Sequence, residues 1–179
     1  MRRTIEQALD ALRAQVNAWA KGGARPDLRV FVYPPEWEAL MLYRLPTFVD
    51  ELRSEAVVVS LEDVGQGFLG ELERRKGLEE RLVSLERDEL LHDLGVVANS
   101  YLRRVFTAPL EDGEACRILM NTGSIGTFVS YSSVTNEMSG SPASDGLPAT
   151  VLAFPGEADE RSLNLLRLRI DTNYRVPRI

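Results

Sequence analysis

Several residue types that often carry chemistry are scarce in this chain of 179 residues. It contains one cysteine, Cys116, one histidine, His92, and only two lysines, Lys21 and Lys76. A single cysteine excludes an intrachain disulfide and a zinc site built from several cysteines, and a single histidine excludes a histidine-rich metal site. An ordinary Ser-His-Asp triad would have to use His92, and no serine lies in a G-x-S-x-G elbow.

Long apolar runs are also missing. No stretch approaches the roughly 20 apolar residues that span a bilayer. The N-terminus leads into an amphipathic pattern instead of an apolar signal core. We therefore expect a cytoplasmic protein that does not enter a membrane. The length and the 44% hydrophobic content fit one globular domain over residues 1–179.

Acidic residues outnumber basic ones, but their distribution is uneven. The net charge is −6, and residues 50–93 hold thirteen acidic against six basic side chains. Residues 160–179 instead hold five arginines and two acids. Nucleic-acid binding is driven mainly by neutralising phosphates, so the acidic middle argues against it. Both clusters are readily explained as solvated faces, and the arginine-bearing tail could still contact an acidic partner.

Short β-rich runs alternate with helical patterns along the chain. Strands are predicted over residues 28–33, 56–60, 115–121, 149–154 and 174–179. Helices are predicted over 5–20, from 35 to about 54, and over 64–75, 78–85, 88–106 and 128–138. Thr4 and Gln7 form a capping-box pattern for the first helix, and Pro46 is expected to break or kink the second. Residues 140–148 are predicted to be a surface loop.

This alternation predicts an α/β fold with three layers, in which a mainly parallel five-stranded sheet carries helices on both faces. The layout suits a P-loop-like or Rossmann-like arrangement, and we assume a P-loop-like strand order by analogy. The expected central-strand core consists of Val30, Val32, Val57, Val58, Leu119, Val151 and Ala153. Consecutive valines in the second strand indicate burial on both of its faces.

The first strand-to-helix loop lacks the features of a phosphate-binding loop. A P-loop would carry G-x-x-x-x-G-K-[ST] there, whereas residues 33–39 read YPPEWEA. Two prolines remove amide donors, and Glu36 and Glu38 would repel an anion. The third strand ends in the neutral pair Asn121 and Thr122, where a magnesium-binding aspartate would be expected. We predict a protein that is not an enzyme and that uses no cofactor.

The other candidate sites have simpler interpretations. The G-x-x-G at residues 123–126 could offer amides to an anion at a helix start, or could simply form a turn, which we favour. Glu157 and Asp159 could act as paired carboxylates or hold a divalent metal, but a solvated or capping role is the preferred interpretation. His92 is expected at the surface, and Cys116 as a small buried hydrophobe. We predict no catalytic and no metal-binding residues.

Three windows of sequence resemble a known family. They are residues 28–50, where RVFVYPPEWE at 29–38 leads into a helix, the segment 119–131, and the region from residue 151 to the end. That last region combines a strand, a PGEAD turn at 155–159, an SLNLL run at 162–166 and DTNYR at 171–175. This order resembles the B protein of BREX phage-exclusion systems (BrxB). Ala158 and the single Tyr174 depart from the family pattern, which often has aromatics at these places.

The resemblance implies a non-catalytic interaction subunit of a bacterial antiphage system. Its implied partner is the alkaline-phosphatase-like PglZ protein, with the ATPase and methyltransferase of the system as further candidates. Ligand-bearing loops of open parallel sheets gather at the strand carboxyl ends. With the tail, these loops give the candidate partner-binding residues Glu36, Trp37, Asn121, Thr122, Glu157, Asp159, Arg161, Tyr174, Arg175 and Arg178. Two alternatives stay open: a nucleotide-binding regulator without hydrolysis, and a DNA-contacting accessory subunit.

Overall fold

The computed structural model describes residues 4–75, 86–129, 131, 134, 147–158, 163–165, 168–169 and 179. The predicted helix over 78–85 and most of the predicted strand over 174–179 lie outside these residues. So does most of the predicted loop over 140–148. Of the predicted helix over 128–138, residues 131 and 134 are described as helical. Within the described part of the chain, no helix is both long enough and apolar enough to cross a membrane.

Four long helices and four parallel strands form the body of the fold in the described ranges. The helices are α1 (Ile5–Ala20), α2 (Glu38–Ser54), α3 (Val64–Arg74) and α4 (Arg87–Thr107). The parallel strands are β1 (Leu28–Tyr33), β2 (Val58–Asp63), β3 (Glu114–Met120) and β4 (Thr150–Ala158). Two 3-10 turns, Pro35–Trp37 and Thr122–Ile125, follow β1 and β3.

The sheet has the order β2-β3-β4-β1, and these four strands are parallel. The far end of β4 continues into antiparallel pairing with β5 (Leu163–Leu165), which pairs in turn with β6 (Leu168–Arg169). The predicted α/β fold with a parallel sheet is confirmed at this level. In the described part of the chain four strands are parallel, and most of the predicted fifth strand, residues 174–179, lies outside it. Strands β5 and β6 were not foreseen.

Helices cover both faces of the sheet and create two separate cores. On one face, α1 and α2 pack over Phe31, Ile118 and Val151. On the other, α3 and α4 pack over Val30 and Leu119, with further strand residues on the same side. Neighbouring strand residues therefore contribute to opposite cores, as the period of two requires. Burying each large apolar side chain contributes roughly 1.5–3 kcal/mol to folding.

The first helix forms as predicted. Thr4 and Gln7 make both hydrogen bonds of the capping box, at 3.2 and 3.0 Å. The apolar residues at helical spacing (Ala8, Leu9, Leu12, Val16 and Trp19) are buried against the sheet. This agreement arises because both the cap and the stripe are local signals that tertiary packing reinforces.

Pro46 does not break α2, which was one of the two outcomes predicted for it. The helix is continuous from residue 38 to 54 with Pro46 inside it. Its apolar stripe, which includes Met41, Leu45 and Phe48, is buried on both sides of the proline. This continuous burial stabilises the helix enough to tolerate the loss of the one backbone hydrogen bond that proline cannot donate.

The second strand starts later than predicted and, among the strands that the structure describes, lies at an edge of the sheet. Val57 precedes β2, and Val58 is 45% exposed, whereas Val59 is fully buried. The placement of Val57 and Val58 on a central strand is therefore wrong. Val30, on β1, is fully buried as predicted. Leu119, Val151 and Ala153 lie on central strands, as predicted.

The predicted turn at residues 155–159 is wrong for its first four residues, which continue β4. Pro155 pairs in register with Tyr33 of β1. The Thr150 amide donates to the Asp27 carbonyl, which immediately precedes β1, so the Thr150 nitrogen faces β1. Backbone nitrogens of successive strand residues face opposite neighbours. The nitrogen of Pro155, five residues later, therefore faces the β3 side. The pairing with β3 ends at Leu152. The amide hydrogen that proline lacks is thus not needed there.

Candidate functional site

The loops at the carboxyl ends of the parallel strands lie together, as the sequence predicts for a parallel sheet. The Thr122 hydroxyl donates to the Ala153 carbonyl of β4 at 2.6 Å. A Cβ atom built on Gly123 would lie 3.1 Å from the Pro155 ring and 3.4 Å from an oxygen of Glu38. The loops after β1 and β3 and the end of β4 therefore meet around Gly123. We call this region the carboxyl edge.

A buried tyrosine and a glutamate form the centre of the carboxyl edge. Tyr33, the last residue of β1, is 1% exposed, and its hydroxyl donates to Oε2 of Glu38 at the start of α2. Burial raises the pKa of Tyr33 well above its usual range. Burial also raises the pKa of Glu38, and the nearby charge of Asp63 adds to this, while the bond from Tyr33 opposes it. A partly desolvated carboxylate therefore lies where a phosphate-binding loop would present donors.

A second hydrogen-bonded group joins β2 to the loop after β3. Asp63 caps α3, because its Oδ1 accepts a hydrogen bond from the backbone amide of Gln66 at 2.9 Å. The same oxygen accepts from the side-chain amide of Asn121 at 2.8 Å. Asn121 has a φ of 57°, in the left-handed region that asparagine tolerates. A Cβ on Gly65 would lie 2.5 Å from the Ser124 hydroxyl, so glycine allows α3 to approach this turn closely.

The G-x-x-G segment is folded as a turn. The amides of Ser124 and Gly126 donate to Asn121 and Gly123 within the chain. The Ser124 hydroxyl donates to the Asn121 carbonyl at 2.6 Å. These amides are already bonded and are not directed at an anion, which agrees with the turn interpretation.

The predicted partner-binding residues have different environments. Glu36 is exposed, Trp37 is half-buried against the core formed with α1 and α2, and Thr122 is fully buried. Thr122 also accepts, at its carbonyl, a 2.5 Å bond from the buried Tyr131 hydroxyl. Its side chain and backbone therefore hold the loop together instead of forming an outer surface.

Of the remaining predicted site residues, only Glu157 lies within the described part of the chain. Glu157 lies in β4 and pairs with Asn164 of β5. The residues outside the described ranges are Asp159, Arg161, Tyr174, Arg175 and Arg178. The interface that combines them with the carboxyl edge stays a prediction.

Two further expectations concern His92 and Cys116. His92 is exposed on α4, as expected. Cys116 is fully buried in β3, and burial, with a smaller effect of Glu114, raises the pKa of its thiol to about 12. Cys116 therefore behaves as a small hydrophobe. Across the described ranges, no group of three or more His, Cys, Asp or Glu side chains is arranged to hold a metal ion.

Three features of the structure were not predicted from the sequence. The first is the hydrogen bond from the Tyr33 hydroxyl to Glu38. The sequence pattern could have predicted it, because a tyrosine ends a strand five residues before a glutamate at the start of a helix. The second is an exposed apolar patch on α2, where Tyr43 is 72% exposed and Leu40, one turn earlier, is 45% exposed. Both follow the exposed Glu36 along the chain.

The third unpredicted feature is a buried arginine beneath the sheet. Arg117 of β3 is 8% exposed and donates to the carbonyls of Val105, Ala108 and Pro109 at 2.5, 3.1 and 3.0 Å. These carbonyls lie at and just beyond the end of α4, where a positive charge favours the helix dipole. Its role is therefore to fix α4 to the sheet.

Comparisons of this chain with protein-family models, curated protein sequences and solved structures gave no match.

Proposed function

We propose that this protein is a non-catalytic interaction subunit of a BREX-type antiphage defence system, acting in the cytoplasm. Its partner in this proposal is the PglZ-like component, and its binding surface combines the carboxyl edge with the arginine-bearing tail. The family assignment rests on the resemblance of residues 28–50, 119–131 and 151 onward to the BrxB family. The chemistry of the carboxyl edge independently supports the non-catalytic part of the proposal.

The observation that carries the non-catalytic proposal is the loop between β1 and α2. Pro34 and Pro35 have no amide hydrogen, and the Trp37 amide donates to the Pro34 carbonyl at 2.9 Å. The next side chain, Glu38, is held by Tyr33 beside Gly123. A phosphate placed here would meet a carboxylate and few free donors, which is the opposite of an anion site.

The proposal includes a degenerate P-loop-like core with five strands. The fifth strand would be residues 174–179, alongside β1. The Ile179 amide supports this placement, because it donates to the Val30 carbonyl at 3.1 Å. The Asp27 carbonyl faces β4, so the Val30 carbonyl, three residues later, faces the outer side of β1. The chain's last residue is thus at the edge that a fifth strand would extend.

The start of α2 supports a protein-binding role. Leu40 and Tyr43 are exposed large side chains at helical spacing, and the exposed Glu36 precedes them by about one turn. Aromatic side chains are enriched at interface hot spots, and an acid beside them favours a basic partner surface. We expect Tyr43 to be the aromatic anchor of the interface, in place of Trp37.

Capture of the purified PglZ-like protein by immobilised variants tests the proposal. We expect Tyr43→Ala combined with Glu36→Lys to weaken capture, as should charge reversal of Arg175 with Arg178 or of Glu157 with Asp159. Loss of one partner of a desolvated charge pair typically costs about 2–5 kcal/mol of binding. Asp10→Lys, an exposed acid on α1, is the matched control. Undiminished capture by all three folded variants would contradict the proposed surface.

The same reagents distinguish the two alternatives. A nucleotide-binding regulator would bind labelled nucleotide at the carboxyl edge, and substitutions around Glu36 would abolish that binding. A DNA-contacting subunit would bind duplex DNA with a steep dependence on salt. Either result, in the absence of PglZ capture, would replace the proposed function.

A further inference from the structure

Three arginine side chains contact one buried carboxylate, away from the carboxyl edge. Arg74 is the last residue of α3, Arg75 follows it, and Arg104 lies in α4. Glu71 of α3 is 8% exposed, and Arg104 of α4 donates to its Oε2 at 2.6 Å. Arg75 lies 3.4 Å from Oε1, and Arg74 lies 3.5 Å from Oε2. Because one fixed carboxylate holds all three, the guanidinium groups occupy neighbouring positions.

Further contacts orient these side chains. The Arg104 guanidinium lies 5.7 Å from the centre of the Tyr101 ring, and the buried Tyr101 hydroxyl donates to Glu62 at 2.9 Å. Arg74 also donates to the Gly70 carbonyl at 2.9 Å. The bond from Arg104 is the largest of the effects that lower the pKa of Glu71, which therefore stays ionised at neutral pH. These contacts orient the arginine side chains around Glu71.

The group carries an excess of positive charge at the surface. Three guanidinium groups surround one carboxylate, so these four side chains together carry a net charge of +2. Glu62, whose charge also acts on Arg104, lies 4.0 Å from Arg117. The side chains of Arg74, Arg75 and Arg104 are 68%, 41% and 55% exposed. Each guanidinium has five donors, and the bonds described here use at most two of them per arginine.

We propose that Arg74, Arg75 and Arg104 form a binding site for a phosphate monoester dianion. Such a dianion has three terminal oxygens and about two negative charges, which match three guanidinium groups and their net charge. Planar guanidinium groups bind phosphate through paired hydrogen bonds. A single carboxylate offers only two oxygens and one charge, so it would leave this group of arginines partly unmatched.

The site does not depend on the proposed function. It lies on α3 and α4 and shares no residue with the predicted partner-binding set, so either can fail alone. Two sources could supply the dianion: a small phosphorylated molecule or free phosphate, and a phosphorylated side chain of a partner protein. The chemistry recognised is the same in both.

A titration with phenyl phosphate, followed by NMR of the arginine side chains, tests the site. We expect saturable binding, and affinity about tenfold lower for the singly charged diester methyl phenyl phosphate. Charge-assisted hydrogen bonds are strong enough that Arg74→Gln with Arg75→Gln should also lower the affinity about tenfold or more. Arg53→Gln is the matched control, because Arg53 is 53% exposed and pairs with one acid, Asp50. It should bind like the parent.

Two further titrations identify the source. Tighter binding of a short phosphoserine peptide than of inorganic phosphate, with no binding of the unphosphorylated peptide, supports the site and assigns a protein-borne phosphate. Equal binding of peptide and inorganic phosphate supports the site and assigns the free anion. Arg74→Gln alone, at the most exposed of the three arginines, replaces the double variant if that variant unfolds. Absence of saturable binding, equal affinity for the diester, or unchanged affinity in the folded variants overturns the proposal.

Discussion

Glu38 shows how burial of a single residue sets a pH dependence. Its folded-state pKa is raised, mainly by burial, so the folded protein holds this proton more tightly than the unfolded chain. Its contribution to stability is therefore complete below the ordinary glutamate pKa and is lost as the pH rises through the raised value. Glutamine in its place can still accept the Tyr33 hydroxyl bond but does not titrate.

We therefore expect Glu38→Gln to become progressively more stable than the parent as the pH rises from below to above the ordinary glutamate pKa of about 4.3. Urea unfolding at a series of pH values measures the difference. Glu36→Gln, at an exposed position two residues earlier, is the control and should show little change. A constant difference between Glu38→Gln and the parent across this range would contradict the raised pKa.

Arg117 is a charged residue with a structural role, because its hydrogen bonds hold the end of α4 against β3. Its removal leaves three carbonyls at the end of α4 without their donor. Because an unsatisfied buried polar group costs roughly 1–3 kcal/mol, we expect Arg117→Ala to lower the free energy of unfolding by about 3 kcal/mol. Thermal and urea unfolding measure this, with Arg53→Ala as the exposed control. A loss below about 1 kcal/mol would mean that water replaces the guanidinium at little cost.

At the scale of elements, the end of α2 determines where β2 begins. Ala56 has a φ of 63°, and the amides of Ala56 and Val57 bond back to Arg53 and Leu52. This is the Schellman arrangement, whose left-handed position usually holds glycine. Residues 56 and 57 therefore belong to the helix end, and the strand starts at Val58.

We expect Ala56→Gly to stabilise the protein by about 0.5–1 kcal/mol, since it relieves the left-handed strain of alanine. Differential scanning calorimetry would show a higher melting temperature. The control is Ala14→Gly, at an exposed position inside α1, which should destabilise by a similar amount. A lower melting temperature for Ala56→Gly would show that alanine is not strained there.

The position of β2 at the sheet edge makes adjacent valines unequal. Val59→Asp buries a charge in the core below α2 and should cost about 4 kcal/mol or more. Val58→Asp places its charge at a position that is 45% exposed and should cost under about 1 kcal/mol. The two variants are matched in chemistry and differ only in burial. Similar losses in urea unfolding would place both valines in the core.

At the scale of the whole molecule, the carboxyl edge should not bind nucleotide. Glu38 and the two prolines occupy the position at which phosphates would be held, so we expect no micromolar affinity for Mg-ATP by calorimetry. Weak binding that Arg74→Gln reduces would belong to the arginine site on α3 and α4. Micromolar affinity that is abolished by substitution around Glu36 would overturn this prediction and restore the nucleotide-binding alternative.

Local signals in the sequence determined much of the fold. The capping box at Thr4, the apolar stripe of α1 and the run over residues 28–33 specify their elements through neighbouring residues alone. The alternation of helix and strand then predicts a parallel sheet, because crossovers between parallel strands need intervening helices. For the same reason, the sequence predicts that the loops after β1 and β3 meet at one edge.

Tertiary structure decided the features that depend on residues far apart in the chain. Strand order placed β2 at an edge and exposed Val58, although Val57, Val58 and Val59 are the same residue type. Packing of Arg104 against Glu71, beside Arg74, brought guanidinium groups from two separate parts of the chain to one carboxylate. Charge counted along the chain could not reveal this, because Coulomb interactions and hydrogen bonds depend on distance in space and on burial.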